Sequence, residues 1–244
     1  MTLRLKNKIA LITGASRGIG AAVAKRFAQE GAQLILVARS FADLEEVDNE
    51  IQQYGPPAVL VPFDLMDLPR IDDLAKSIAK RFGHLDILVG NAAILGGLTP
   101  ITHTPPTIWH QVMTVNLHAN WHLLKAFEPL LIKAHDARLV FVTSGITIHP
   151  TPYWGGYAVT KSALETMVKT YASEVKHTAF KVNLVNPGTI RTPMRAQAMP
   201  GEDPMTLPPP EDITEVFVRL AEAECPWHGE ILSAQELAFF KVRG

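Results

Sequence analysis

Along the chain, short runs of apolar and β-branched residues alternate with longer stretches whose apolar positions recur every three or four residues. The short runs are 8–13 (KIALIT), 33–38 (QLILVA), 58–63 (AVLVPF), 85–90 (LDILVG), 138–143 (RLVFVT), 181–186 (KVNLVN) and 229–234 (GEILSA). They are apolar on both faces, as strands buried between two layers must be, and this predicts a parallel sheet. Helical spacing lies between them: Ile19, Val23 and Phe27 ahead of Gly31, then 41–54, 67–82, 105–134, 155–177 and 211–223. Strand and helix alternating in this way build right-handed βαβ units. The expected fold is α/β of the Rossmann type: a doubly wound sheet of seven parallel strands, ordered 3-2-1-4-5-6-7, with helices on both faces.

Composition narrows the organisation and the function classes. A chain of 244 residues, 47% hydrophobic, can bury one substantial core, so 1–244 is read as a single domain. Seven prolines (187, 193, 200, 204, 208, 209 and 210) fall within 187–212. Only about thirty residues follow, so 188–210 is read as a loop or lid over a site rather than a linker. Lys and Arg number 23 against 24 Asp and Glu, which leaves a net charge of -1 and no electrostatic footprint for nucleic acid or an anionic membrane. No signal segment precedes NKIALITG and no apolar run nears bilayer-spanning length, so the expected location is the cytoplasm. The single cysteine, Cys225, cannot form an internal disulfide and reads as a small buried side chain.

The first strand runs into TGASRGIG, residues 13–20. Gly14, Gly18 and Gly20 allow a sharp turn and a close backbone approach, and with Ser16, Arg17 and Ile19 they stand at a helix N-terminus whose positive end suits a pyrophosphate. The second strand ends Val37-Ala38-Arg39-Ser40. A carboxylate that would hold the ribose hydroxyls of NAD is missing there, whereas Arg39 and Arg17 offer positive charge to a 2'-phosphate. The cofactor expected is therefore NADP(H).

In YWGGYAVTKSALE (153–165), Tyr157 and Lys161 stand four residues apart at a helix start. As a surface pair they would contribute only a few tenths of a kcal/mol, roughly 0.2–0.5. As an acid and its neighbour they do more. A free phenol has a pKa of about 10, and lowering it by about 3 pH units requires ~4 kcal/mol, the scale of one ammonium about 4 Å away at an effective dielectric near 20.

Taken together, the glycine turn, the Tyr-x-x-x-Lys pair and the length resemble the short-chain dehydrogenases/reductases, across almost the whole chain. The resemblance implies a tetrad of Asn116, Ser144, Tyr157 and Lys161. Tyr157 would exchange the proton as hydride moves to or from a carbonyl carbon, and Ser144 would orient the carbonyl oxygen. Lys161 would bind the nicotinamide ribose, and Asn116 would hold a water in a proton relay from it. The resemblance also implies that Asp64 and Leu65 meet the adenine and that Asn91, Ala92 and Ala93 lie beside the adenosine ribose. Pro187, Gly188, Thr189, Ile190 and Thr192 would form the turn that receives the nicotinamide carboxamide. Ser233 to Glu236 (SAQE) stand where many members have an Asp-Gly-Gly turn.

Ile94, Leu95, Ile146, Ile148, Trp154, Met194, Met199, Met205 and Leu207 are the expected substrate walls, which suits a hydrophobic carbonyl or alcohol. Arg191 and Arg195 would admit an acidic one. A 3-oxoacyl thioester is the alternative substrate, and a non-catalytic NADP(H)-sensing or scaffold protein the alternative of another class. His118 and His122 have a metal-compatible spacing, but no nearby carboxylate completes a set, so no metal is expected. With Trp121 they read as a subunit interface of a homodimer or homotetramer, a reading the resemblance strengthens.

Overall fold

The computed structural model describes residues 3–235. One sheet contains β1 (Ile9–Thr13), β2 (Gln33–Ala38), β3 (Val59–Pro62), β4 (Ile87–Gly90), β5 (Arg138–Val142), β6 (Lys181–Asn186) and β7 (Ile231–Ser233). The order is β3-β2-β1-β4-β5-β6-β7 and every pairing is parallel, as the hydrophobic pattern predicts. One face is covered by α1 (Gly18–Gln29), α2 (Phe41–Ile51) and α8 (Thr214–Ala221), the other by α3 (Pro69–Phe82), α5 (Ala119–Lys133) and α6 (Gly155–Glu174). The strands feed both layers by alternation. In β1, Ala10 and Ile12 join the core of Phe27 and Phe217, while Ile9 and Leu11 join that of Phe127 and Phe141. Burying each of the larger side chains contributes about 2 kcal/mol, which is why these strands have no polar face.

Two departures from the sequence pattern bear on the site. The stretch 105–134 is not one helix: α4 (Pro106–Met113) passes into a π-helical turn at Thr114–His118 before α5 begins. Such a turn inserts an extra residue into the helical ladder, and here it presents Asn116 to the loop after β4. The proline-rich stretch contains a short helix, α7 (Pro193–Ala198), capped by the Thr192 hydroxyl, and 3-10 turns at Pro204–Thr206 and Pro210–Ile213. The N-terminal segment is tied down by ion pairs. Arg4 meets Glu30 at 2.8 Å and Glu215 at 2.9 Å, and Arg26 meets the same two carboxylates. Burial pushes the Glu30 carboxyl up, but hydrogen bonds from Arg4 and Arg26 outweigh it and bring the pKa down to about 2.

Candidate active site

A cavity of about 850 Å³ opens at the C-terminal ends of β1 and β4. Here the chain, having run outward through β2 and β3, returns to the other side of β1, the switch point where open α/β sheets form their clefts. Gly14 and Gly18 lie at φ 64° and 56°, in the left-handed region that favours glycine. Gly20 sits under the turn instead of facing the cavity: a Cβ there would come within 2.2 Å of the Gly14 carbonyl oxygen. The Asn91 amide donates to the carbonyls of Thr13 (2.9 Å) and Gly14 (3.2 Å), so Asn91 clamps the glycine turn from β4. Thr13 reinforces this by accepting from the backbone of Asn91 and Ala92 at 3.1 Å.

The remaining dinucleotide candidates divide by position. Ser16, Arg17, Gly18, Ile19, Arg39, Asp64, Leu65, Asn91, Ala92, Ala93, Pro187, Gly188, Thr189, Ile190 and Thr192 all line the cavity. Ser40 does not; its hydroxyl caps α2 by accepting from the Asp43 amide at 3.2 Å, as the Ser-x-x-Asp spacing requires. Arg17 and Arg39 are exposed on the rim, and neither is engaged by a carboxylate among the described residues. The glycine cradle, the N-terminus of α1 and these two arginines fit a dinucleotide carrying an extra phosphate. Gln235 reaches back to the Thr189 carbonyl at 3.4 Å and packs against Gly188, so it supports the opposite wall; Glu236 lies outside the described residues.

At the other end of the cavity Ser144, Tyr157 and Lys161 come together. Ser144 lies two residues past β5 and its hydroxyl accepts from the Ile146 amide at 3.4 Å, opening a 3-10 turn at Gly145–Thr147. Lys161 is 2% exposed; its ammonium donates to the Val142 carbonyl at 2.7 Å and lies 5.7 Å from the centre of the Tyr157 ring. Trp154 meets Tyr157 edge-on at 5.9 Å, and Leu95, Met194 and Ala198 complete an apolar pocket around the phenol.

Two expectations are corrected. Lys161 does not draw the phenol down in this geometry. Burial pushes Tyr157 up to about 12, with a hydrogen bond to Ser144 pulling the other way. It is the ammonium that gives way, since burial brings Lys161 down to about 8 against the opposing field of Glu165. Asn116, for its part, does not face the cavity. It is fully buried: its oxygen accepts from the Ile94 amide (2.8 Å) and its nitrogen donates to the Ile94 carbonyl (3.0 Å) and the Thr160 hydroxyl (3.1 Å). Thr160 in turn donates to the Tyr157 carbonyl at 2.8 Å. Asn116 thus joins the loop after β4 to α6, with both of its amide protons engaged.

Of the substrate walls, Ile94, Leu95, Ile146, Trp154, Met194 and Met199 line the cavity, whereas Ile148, Met205 and Leu207 do not. Ile148 and Met205 are 67% and 75% exposed. Arg195 lines it but is held by Glu202 in a bidentate pair of 2.6 and 2.7 Å, and the Arg191 guanidinium lies against the Met205 sulfur. Arg195 is thus already paired with a carboxylate, and Arg191, whose partner is a neutral thioether, does not line the cavity. Trp121 is exposed on α5 and His118 on the π-helical turn before it, with Trp121 edge-on to His122 at 4.8 Å and under Lys125. The sequence reading passed over Thr143, which lines the cavity, and Glu165; the signal was available, because Glu165 continues the Tyr157, Lys161 spacing by another four residues.

Known proteins match this arrangement. The profile of the family described as short chain dehydrogenase matches residues 8–203. The uncharacterized oxidoreductase YciK of Escherichia coli K12 is 37% identical over 219 residues, 88% of this chain and 86% of its own. The 3-oxoacyl-[acyl-carrier-protein] reductase FabG of Thermotoga maritima is 31% identical over 91% of this chain and 93% of its own. A protein of Escherichia coli CFT073, solved in complex with NADPH, superposes with a TM-score of 0.91 at 35% identity, covering 96% of this chain and all of the other.

Proposed function

Since the chain belongs to the short-chain dehydrogenase family of oxidoreductases, we propose that it transfers a hydride between NADP(H) and the carbonyl or secondary alcohol of an uncharged, hydrophobic small molecule. The observation that carries the reading is the union, in one cavity, of the glycine cradle and its arginines at one end with Ser144, Tyr157 and Lys161 at the other. The bound cofactor supplies the hydride. Tyr157, kept protonated by burial, gives its hydroxyl proton to the carbonyl oxygen, and reduction is the direction a neutral phenol serves. Ser144 holds that oxygen and, through its bond to Tyr157, aligns donor and acceptor. Lys161 supplies positive charge beside the phenol, most fully below pH 8. Arg39 and Arg17 receive the 2'-phosphate, a role in keeping with the NADPH in the related E. coli structure.

The apolar surround of Tyr157 and the neutralised Arg195 support an uncharged substrate, with 188–210 acting as the lid of a single domain. The exposed Trp121 supports a homodimer or homotetramer built on the α5 face. Among the described residues no helix is long and apolar enough to cross a membrane. The test is consumption of NADPH and NADH over a panel of apolar ketones, aldehydes, diketones and 3-oxoacyl thioesters. Turnover of apolar carbonyls with NADPH is expected. Preference for the thioesters would favour a role like that named for the Thermotoga relative, and tight NADPH binding with no turnover would favour the sensor reading.

A further inference from the structure

Glu165 has no part in the tetrad, yet it stands in its midst. It lies on α6 four residues after Lys161, which lies four after Tyr157, so the three side chains share one helical face. One of its oxygens, Oε1, accepts from the Thr143 hydroxyl at 2.5 Å and from the Thr147 hydroxyl at 2.9 Å, the latter proton being shared with the Ser144 carbonyl at 2.9 Å. Thr143 immediately precedes Ser144, and Thr147 closes the 3-10 turn that Ser144 begins. The turn that carries the serine is thereby fastened to the helix that carries the tyrosine and the lysine, through one carboxylate oxygen.

From this geometry we infer that Glu165 is a positioning residue of the active site, fixing Ser144 relative to Tyr157 and setting a carboxylate on the Lys161 face of α6. The inference rests on the oxidoreductase reading above. Around the Lys161 ammonium, α6 presents Tyr157 on one side and Glu165 on the other, and β5 presents the Val142 carbonyl; Thr143 and Ser144 carry no charge. Glu165 is the charged group that opposes the effect of burial on Lys161. A surface glutamate at the same helical spacing would act on neither the serine turn nor the lysine.

The decisive readout does not depend on turnover. In protein labelled with carbon-13 lysine, the Lys161 signal is assigned by its loss in Lys161→Met and followed through a pH titration. Glu165→Gln keeps an oxygen for the two threonines but removes the charge, so the Lys161 midpoint should fall by about one pH unit. Glu165→Asp, which restores the charge, should bring it back. With phenanthrenequinone and NADPH, kcat/KM of Glu165→Gln should drop about fivefold at pH 8 and stay near wild type at pH 6, following the charged fraction of Lys161. Thr143→Val should lower kcat at every pH without moving the midpoint. A Lys161 midpoint identical in wild type and Glu165→Gln would overturn the inference. Absence of wild-type turnover would count against the oxidoreductase reading and leave the titration to judge Glu165.

Discussion

Lys161 should be a residue whose removal stabilises the protein while disabling it. Its ammonium is almost wholly out of water, and burial, its largest influence, brings the pKa from 10.5 to about 8. At 1.36 kcal/mol per pH unit this amounts to about 3 kcal/mol of folding free energy lost below pH 8. Lys161→Met removes that cost with a side chain of similar length, but forfeits the 2.7 Å bond to the Val142 carbonyl, which offsets roughly 1 kcal/mol. A net gain of ~2 kcal/mol remains, or roughly 4–8 °C in Tm for a domain of this size. The pH dependence supplies a sign check. Between about pH 8 and 10.5 the unfolded chain holds a proton on this lysine that the folded one has released, so wild-type stability rises with pH across that window. The variant lacks this term, so its advantage should be full at pH 7 and give way by pH 10.5 to a deficit of roughly 1 kcal/mol, the lost Val142 bond. Thermal unfolding followed by circular dichroism at several pH values would measure it, with NADPH-dependent turnover recorded in parallel. A variant that melts below wild type at pH 7, by a margin that does not change with pH, would refute the electrostatic argument.

Other perturbations follow from the same contacts. Gly20→Ala drives a Cβ to 2.2 Å from the Gly14 oxygen and 2.6 Å from the Asn91 amide. Overpacking of ~2 kcal/mol with loss of the Asn91 bonds should weaken NADPH at least about thirtyfold in a fluorescence titration, whereas Gly55→Ala, with open space around it, should not affect binding. Arg39→Asp should weaken NADPH roughly 10–100-fold and NADH little, by calorimetry; equal loss for both would remove the phosphate role from Arg39. Glu30, with its pKa drawn down to about 2, contributes stability that is present above pH 4.5 and lost as pH falls through about 2. Glu30→Gln should therefore flatten the acid limb of a stability-versus-pH curve, and an unchanged limb would show that the Arg4 and Arg26 pairs contribute nothing there.

Much of the fold was legible because a parallel sheet buries both faces of its strands, and runs such as QLILVA and KVNLVN have no other comfortable placement. The switch-point cleft follows from the strand order, and the glycine turn locates one end of it. What the sequence did not reveal depends on backbone details that periodicity averages away. The π-turn at Thr114–His118 leaves the apolar spacing of 105–134 nearly intact while it rotates Asn116 onto Ile94, so a helical residue at the site was legible but its bonding was not. The Tyr157 and Lys161 spacing was plain, yet the sign of their titration is set by burial and by Glu165, neither of which the four-residue interval expresses. Arg195 and Glu202 are seven residues apart, and only the α7 turn brings them together to neutralise a charge that the sequence left open to substrate. Gly20 and Ser40, named as cofactor residues, act from behind: one lets the turn close and the other starts α2.

The central claim is that Tyr157 delivers the proton to the carbonyl oxygen from within an intact NADPH site. It is tested most directly with Tyr157→Phe and a carbonyl that the wild-type protein reduces, by measuring turnover and NADPH affinity on the same preparation. Removing a positioned general acid should slow turnover by about 10²–10⁴-fold and leave the dissociation constant for NADPH within a few-fold of wild type. Reduction by Tyr157→Phe at the wild-type rate would contradict the account.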